Sequence, residues 1–192
     1  MRIGLLGGSF DPVHCGHLAA AQDALAEGGL DRVILVPAAQ APLKSDSPTA
    51  SGPDRLAMLR LATEDDPRLA VSDWELVRGG LSYTVDTVRY FAALHPSDRL
   101  CWIIGADQAG QLARWKEIDA LVQLVEFICL GRPGYALPET PGLAGLRLRL
   151  CVGRRLDVSS TDVRARVRSG RSLEGLVPHK TVEYLRANRL YL

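Results

Sequence analysis

Two histidines three residues apart, His14 and His17, close the segment Gly7-Gly8-Ser9-Phe10-Asp11-Pro12-Val13-His14-Cys15-Gly16-His17. Placed at the start of a helix, imidazoles at this spacing can turn toward one anion. The backbone N–H groups and positive end of such a helix favour phosphate, and small glycines let a ligand approach the main chain. Two histidines near a helix start are more often structural or merely exposed, so it is the glycine context that shifts the reading toward a phosphate loop. The spacing differs from G-x-G-x-x-G and does not argue for a dehydrogenase. A zinc site does not follow either, because no cysteine or carboxylate cluster completes a ligand set.

A second constellation is Val158-Ser159-Ser160-Thr161-Asp162-Val163-Arg164, with hydroxyls and free N–H groups at a helix start and a guanidinium one turn later. Such an arrangement can hold a polyphosphate. Taken alone it can equally be an N-cap at Ser159 or Ser160, followed by a solvated arginine.

The elements around these segments alternate. Arg2 to Gly7 reads as a buried strand, Gly16 to Glu27 as an Ala-rich helix and Arg32 to Pro37 as a second buried strand, which together make one βαβ unit. The strands are continuously apolar, as a parallel sheet covered on both faces requires. Residues 40–52 read as a surface loop, and Ser51 to Asp54 supply cap-like residues before a helix from Arg55 to Asp65. Further strands are expected over Leu69–Trp74, Leu100–Ile104, Leu124–Leu130 and 146–152. A helix capped by Ser82 should run to about Leu94, polar and helical residues fill the stretch after Asp107 through Leu121, and terminal helices span Ser160–Val167 and Pro178–Ala187. The fold class is therefore α/β, a doubly wound parallel sheet, whose ligands bind beyond the carboxyl ends of its strands. The loops after Leu6, Pro37, Ile104 and Leu130 should open on that edge.

With 192 residues the chain fits one domain. Lys and Arg total 23 against 22 acidic residues, so no global field draws the molecule to nucleic acid or an anionic membrane, and any anion site must be local. Cys15, Cys101, Cys129 and Cys151 form no C-x-x-C pair, and three of them lie in apolar runs, which fits a reducing cytoplasm. Neither a secretory signal nor an apolar run of the length needed to span a bilayer is read, so the chain is expected to be neither exported nor inserted.

The residues resemble, from end to end, the bacterial nicotinate-nucleotide adenylyltransferases of the H-x-G-H nucleotidyltransferase superfamily. The motifs are GGSFDPVHCGH at 7–17, SYTVDT at 82–87, IIGAD at 103–107 with Trp115-Lys116, GRPGY at 131–135, SSTDVR at 159–164, and the closing VPHKTVEYLRANRLY at 177–191. The first and fifth identify the superfamily, and SYTVDT with GAD and Trp-Lys selects the nicotinate branch. One departure stands in the loop after the second strand, where members often carry Pro-Pro-His-Lys and this chain has Ala41-Pro42-Leu43-Lys44, keeping the cation and dropping the imidazole.

The resemblance implies a Rossmann-like nucleotidyltransferase fold in one domain, 1–192, with the helices from about 159 closing the ATP site. It implies transfer of the AMP moiety of ATP to nicotinate mononucleotide, giving nicotinate adenine dinucleotide and pyrophosphate in NAD biosynthesis. Under it, Gly7, Gly8, Ser9, Phe10, His14, His17, Gly105, Asp107, Ser159, Ser160, Thr161 and Arg164 would meet ATP. Lys44, Tyr83, Thr84, Trp115 and Arg132 would meet nicotinate mononucleotide, and His14, His17, Lys44 and Arg164 would carry catalysis. Mg²⁺ would accompany ATP through phosphate oxygens and water, with no assigned protein ligand. Nucleic acid and membrane are not expected partners, and a homo-oligomer is left open. Phosphopantetheine adenylyltransferase shares the first loop but usually carries Thr at the position of His14. A non-catalytic ATP sensor would have little use for both histidines, Lys44 and Arg164 together.

Overall fold

The computed structural model describes residues 1–42, 48–131, 142–154 and 156–192. Six parallel strands, β1 (Arg2–Gly8), β2 (Arg32–Pro37), β3 (Leu69–Val71), β4 (Arg99–Gly105), β5 (Glu126–Gly131) and β6 (Leu148–Val152), form one sheet in the order β3-β2-β1-β4-β5-β6. The order reverses direction at β1, so the loops after β1 and β4 diverge at the switch point, where ligands of doubly wound sheets bind. The register aligns Gly8 with Pro37 and Gly105 with Leu130, which brings these strand ends to one edge as the sequence predicts.

Side-chain alternation divides the core between the two faces of the sheet. Val33, Leu35, Cys101 and Ile103 face helices α1 (Cys15–Gly28), α2 (Gly52–Thr63), α7 (Ser160–Arg168) and α8 (His179–Ala187), packing with Leu25, Met58, Leu59, Val163 and Leu185. Ile34, Val36, Trp102 and Ile104 face α4 (Thr84–Leu94) and α6 (Ile118–Leu124), packing with Val85, Val88, Phe91 and Leu121. The terminal helices thus lie on the same face as the helix that follows the phosphate loop.

Three local readings change. The expected strand over Leu69–Trp74 stops at Val71, and Trp74–Arg78 forms the short helix α3 instead. Ser82 does not cap α4; Tyr83 holds the N-cap position, and the Ser82 hydroxyl oxygen accepts a hydrogen bond from the Ala39 N–H at 3.0 Å. The stretch after β4 breaks into α5 (Ala106–Ala109), a 3-10 turn over Leu112–Arg114, and α6. Ser51 does cap α2, accepting from the Asp54 N–H, with Pro53 in the first turn. No described helix is long and apolar enough to cross a membrane.

Candidate active site

The phosphate loop joins β1 to α1 and is pinned from beneath. Phe10 adopts a left-handed conformation, φ 48°, and its ring is buried against Gly8 with an edge 4.8 Å from the His17 ring. Tertiary packing has to hold a non-glycine residue in that region. Here the buried ring supplies it.

His14 takes the N-cap position of α1 in extended conformation. Its backbone N–H donates to His17 Nδ1 at 3.2 Å, and the two rings stack at 3.7 Å. An imidazole nitrogen that accepts carries no proton, so the neutral His17 ring has its N–H at Nε2. Burial pushes the His14 pKa down to about 4, so this imidazole is neutral near pH 7. Its Nδ1 is buried without a hydrogen-bond partner among the described residues. A Cβ at Gly16 would stand 3.0 Å from that nitrogen and 3.1 Å from Val158, so a larger residue would press on the His14 ring and the lead into α7, which meet closely at this glycine. The first-turn N–H of Cys15 is committed to the Leu176 carbonyl at 2.8 Å, which docks the segment before α8 on this helix end.

The start of α7 lies directly on the phosphate loop. The Ser160 hydroxyl donates to the Pro12 carbonyl at 2.9 Å, and Arg164 Nη1 donates to the Asp11 carbonyl at 2.7 Å while Nη2 reaches Thr161 Oγ1 at 3.3 Å. Ser159 is the cap, accepting from the Asp162 N–H at 3.1 Å. The two constellations read separately in the sequence therefore form one surface. Within it the Ser160 hydroxyl proton is spent on docking, whereas Thr161 is exposed and Arg164 is half-buried with N–H donors to spare.

The loops after β1 and β2 are joined by Arg55, a buried residue of α2 whose Nη1 donates to the Ser9 and Ala38 carbonyls at 2.8 Å each. The loop after β2 then reaches the start of α4, where the Ser82 N–H donates to the Gln40 carbonyl at 2.8 Å. Glu75, buried on α3, accepts from the Thr87 hydroxyl, and burial raises its pKa. Tyr83 and Thr84 stand at the N-terminus of α4, as the SYTVDT motif implies. Lys116 lies 4.4 Å over the Tyr83 ring and 3.4 Å from the Asp86 carboxylate, and the half-buried Trp115 sets an edge against Phe127 at 6.2 Å. An aromatic face, a helix N-terminus and an ammonium group thus come together beyond β4.

Gly105 caps α5, and Asp107 folds back over it, since a Cβ at Gly105 would stand 2.5 Å from Asp107 Oδ1. Asp107 is exposed at the sheet edge. Lys44 and Arg132 lie outside the described residues, as does most of GRPGY. Reading by motif did not assign Asp11, Arg55, Ser82, Lys116 or Tyr191. Asp11, Ser82, Lys116 and Tyr191 sit inside quoted motifs, but nothing in local spacing shows that Arg55 reaches two loops or that Tyr191 reaches Asp11. No group of three or more His, Cys, Asp or Glu among the described residues is arranged to hold a metal ion.

Residues 5–166 match the cytidylyltransferase-like family model. A "probable nicotinate-nucleotide adenylyltransferase" of Opitutus terrae is 55% identical over 191 residues, covering 100% of this chain and 98% of that protein. One of the same name from Symbiobacterium thermophilum is 42% identical, covering 100% of this chain and 95% of its own length. Among solved structures, Plasmodium falciparum nicotinic acid mononucleotide adenylyltransferase complexed with NaAD superposes with a TM-score of 0.78 at 20% identity, over 99% of this chain and 97% of that one, a likeness that speaks for the fold. By its full-length kinship and its fold, the chain belongs to the nicotinate-nucleotide adenylyltransferase family, within the cytidylyltransferase-like nucleotidyltransferases.

Proposed function

We propose that the protein transfers the AMP moiety of ATP to nicotinate mononucleotide, releasing pyrophosphate and forming nicotinate adenine dinucleotide. The observation that carries this reading is the docking of the Ser159–Arg164 segment on the His14/His17 loop, because it builds one polyphosphate-sized surface at the switch point of the sheet. A phosphate oxygen of the acceptor attacks the α-phosphorus of ATP in line. The new P–O bond forms as the bond to the pyrophosphate oxygen breaks, and no enzyme nucleophile takes part. The acceptor phosphate is already anionic near neutral pH, so the protein's task is to bring two anions together and offset charge on the leaving group.

In this scheme His17 donates from Nε2 to the phosphate chain, and neutral His14 orders it from beneath. Arg164 and the hydroxyls of Ser159 and Thr161 hold the β and γ phosphates, Ser160 keeps α7 against the loop, and the helices from about 159 close the site. Gly7, Gly8, Ser9 and Phe10 shape the loop, Gly105 and Asp107 receive the adenosine, and Lys44 and Arg132 serve the phosphates. A divalent cation, Mg²⁺ by preference, offsets phosphate charge when bound with ATP. The carboxylate of the phosphate loop is engaged by the Thr49 and Ala50 N–H groups and the Tyr191 hydroxyl, so phosphate oxygens and water would supply its ligands. Free thiols at all four cysteines fit a cytoplasmic setting.

The acceptor ring stacks on Trp115, and its carboxylate meets the N-terminus of α4 at Tyr83 and Thr84, near Lys116. An amide would present an N–H to those donors and leave them unpaired. Nicotinate mononucleotide should therefore be used at least ~100-fold more efficiently than its amide, roughly 2.7 kcal/mol in transition-state free energy. Pyrophosphate release is to be measured with ATP plus, separately, nicotinate mononucleotide, nicotinamide mononucleotide and phosphopantetheine. Release with the first alone supports the reading. Comparable rates for acid and amide would refute the carboxylate placement, and reaction with phosphopantetheine alone would refute the function.

A further inference from the structure

The phosphate loop contains a buried carboxylate that touches no reacting atom in the scheme above. Asp11 Oδ1 accepts from the Tyr191 hydroxyl at 2.7 Å and from the Ala50 N–H at 2.9 Å, and Oδ2 accepts from the Thr49 N–H at 2.7 Å. Arg164 Nη1 stands 3.7 Å from Oδ2, although it donates to the Asp11 main-chain carbonyl at 2.7 Å. Tyr191 is separated from Asp11 by 180 residues in sequence. Its ring is buried among Phe10, Val13, Met58 and Val163 in the same cluster, and its backbone is left-handed, φ 67°. Its hydroxyl donates to Asp11 from within that cluster.

We propose that Tyr191 is a positioning residue of the ATP site: its hydroxyl completes the coordination of the Asp11 carboxylate and thereby leaves Arg164 turned toward the triphosphate. This rests on the adenylyl-transfer reading above. A buried anion short of donors takes the nearest cation. Without the Tyr191 hydroxyl, Asp11 Oδ1 keeps one donor, and Arg164 Nη1, 3.7 Å from Oδ2 of the same carboxylate, is a cation close enough to make up the loss. Arg164 would then leave the Asp11 carbonyl for the carboxylate and withdraw from the phosphates. Burial raises the Tyr191 pKa, so the hydroxyl stays a proton donor throughout the physiological range. The Thr49 and Ala50 N–H groups share the carboxylate, and the same contact therefore anchors the chain that leads into α2.

The test is Tyr191→Phe, which keeps the buried ring and deletes the hydroxyl, made in the wild-type and Arg164→Ala backgrounds. ATP binding is measured at equilibrium without acceptor, beside thermal midpoints and both Michaelis constants. In the wild-type background ATP affinity should fall ~10-fold, as for loss of one hydrogen bond to a charged group, while the acceptor constant stays within about twofold. In the Arg164→Ala background the penalty should shrink to under about twofold, because the two residues act through one contact. Unchanged ATP affinity, or an equal penalty in both backgrounds, overturns the proposal, whether or not the thermal midpoint drops. A second readout needs no variant. By linkage, whatever Asp11 and Tyr191 contribute to ATP binding ATP returns to them, so ATP should slow amide exchange at Thr49 and Ala50. No slowing there also overturns it. Binding without acceptor is independent of which acceptor reacts, so a failure of nicotinate mononucleotide to turn over counts against the functional reading alone.

Discussion

His14 and His17 share a loop, yet their surroundings give them different chemistry. The His14 backbone N–H fixes the His17 tautomer and leaves Nε2–H as the donor, so in the proposed reaction His17 is the group whose hydrogen bond would gain most as the leaving phosphate acquires charge. His17→Ala should lower kcat by ~100- to 1,000-fold with a much smaller change in either Michaelis constant, measured by pyrophosphate release. His14 is held neutral by burial, with a pKa of about 4 against an ordinary value of 6.5. Its folded-state pKa is depressed, so its contribution to stability is intact above about pH 6.5 and is lost as pH falls through about 4. The loss amounts to about 3 kcal/mol when complete. Urea unfolding at pH 7 and pH 4.5 should show it, and His14→Asn, which places a residue suited to the N-cap position there without a titrating group, should flatten that part of the pH dependence.

At the scale of elements, the proposed reaction would run between the starts of α4 and α7. On the proposed reading Arg164 on α7 meets the triphosphate in ground and transition states alike, so Arg164→Ala should raise the Michaelis constant for ATP more than that for the acceptor. A rise confined to the acceptor would place α7 on the wrong substrate. Trp115 offers a face to either pyridine ring, so Trp115→Ala should weaken acid and amide acceptors about equally. The start of α4 distinguishes them, and Thr84→Ala should narrow the ratio of their efficiencies, read from initial rates with each acceptor. Both expectations depend on the α4 start being held still. Ser82 does that by accepting from Ala39 rather than by capping the helix.

Across the whole molecule, a buried guanidinium ties together the loops that follow β1 and β2. Arg55 is 2% exposed and satisfies the Ser9 and Ala38 carbonyls, which belong to loops on either side of the site. Arg55→Met should cost on the order of 3 kcal/mol, because two buried carbonyls lose charge-assisted partners. The urea midpoint should fall with little change in slope, and a shift under about 0.5 kcal/mol would show that the loops hold each other without Arg55. The molecule is closed a second time by its terminal helices, which pack on the face that carries α1 and bring Leu176 to Cys15, Ser160 to Pro12 and Tyr191 to Asp11.

What the sequence determined by itself was local or periodic. Continuous apolar runs within Arg32–Pro37 and Leu100–Ile104 read as buried parallel strands because both faces of such strands are covered. The glycine-histidine loop and the Ser159–Arg164 segment could be recognised because helix starts carry their chemistry within a few consecutive residues. The helix over Trp74–Arg78 was missed because it is too short for helical periodicity to show, and Ser82 was misread because a serine before a helix is as able to bind a distant N–H as its own helix end. Only the tertiary structure decided that the Gly7–His17 and Ser159–Arg164 segments form one surface, that Arg55 ties two loops, and that Tyr191 reaches Asp11. Each of these depends on contacts between residues far apart along the chain, made where parallel strands and right-handed crossovers deliver their ends to the same edge of the sheet. No short-range pattern encodes such contacts, because the residues that make them become neighbours only after the sheet has formed.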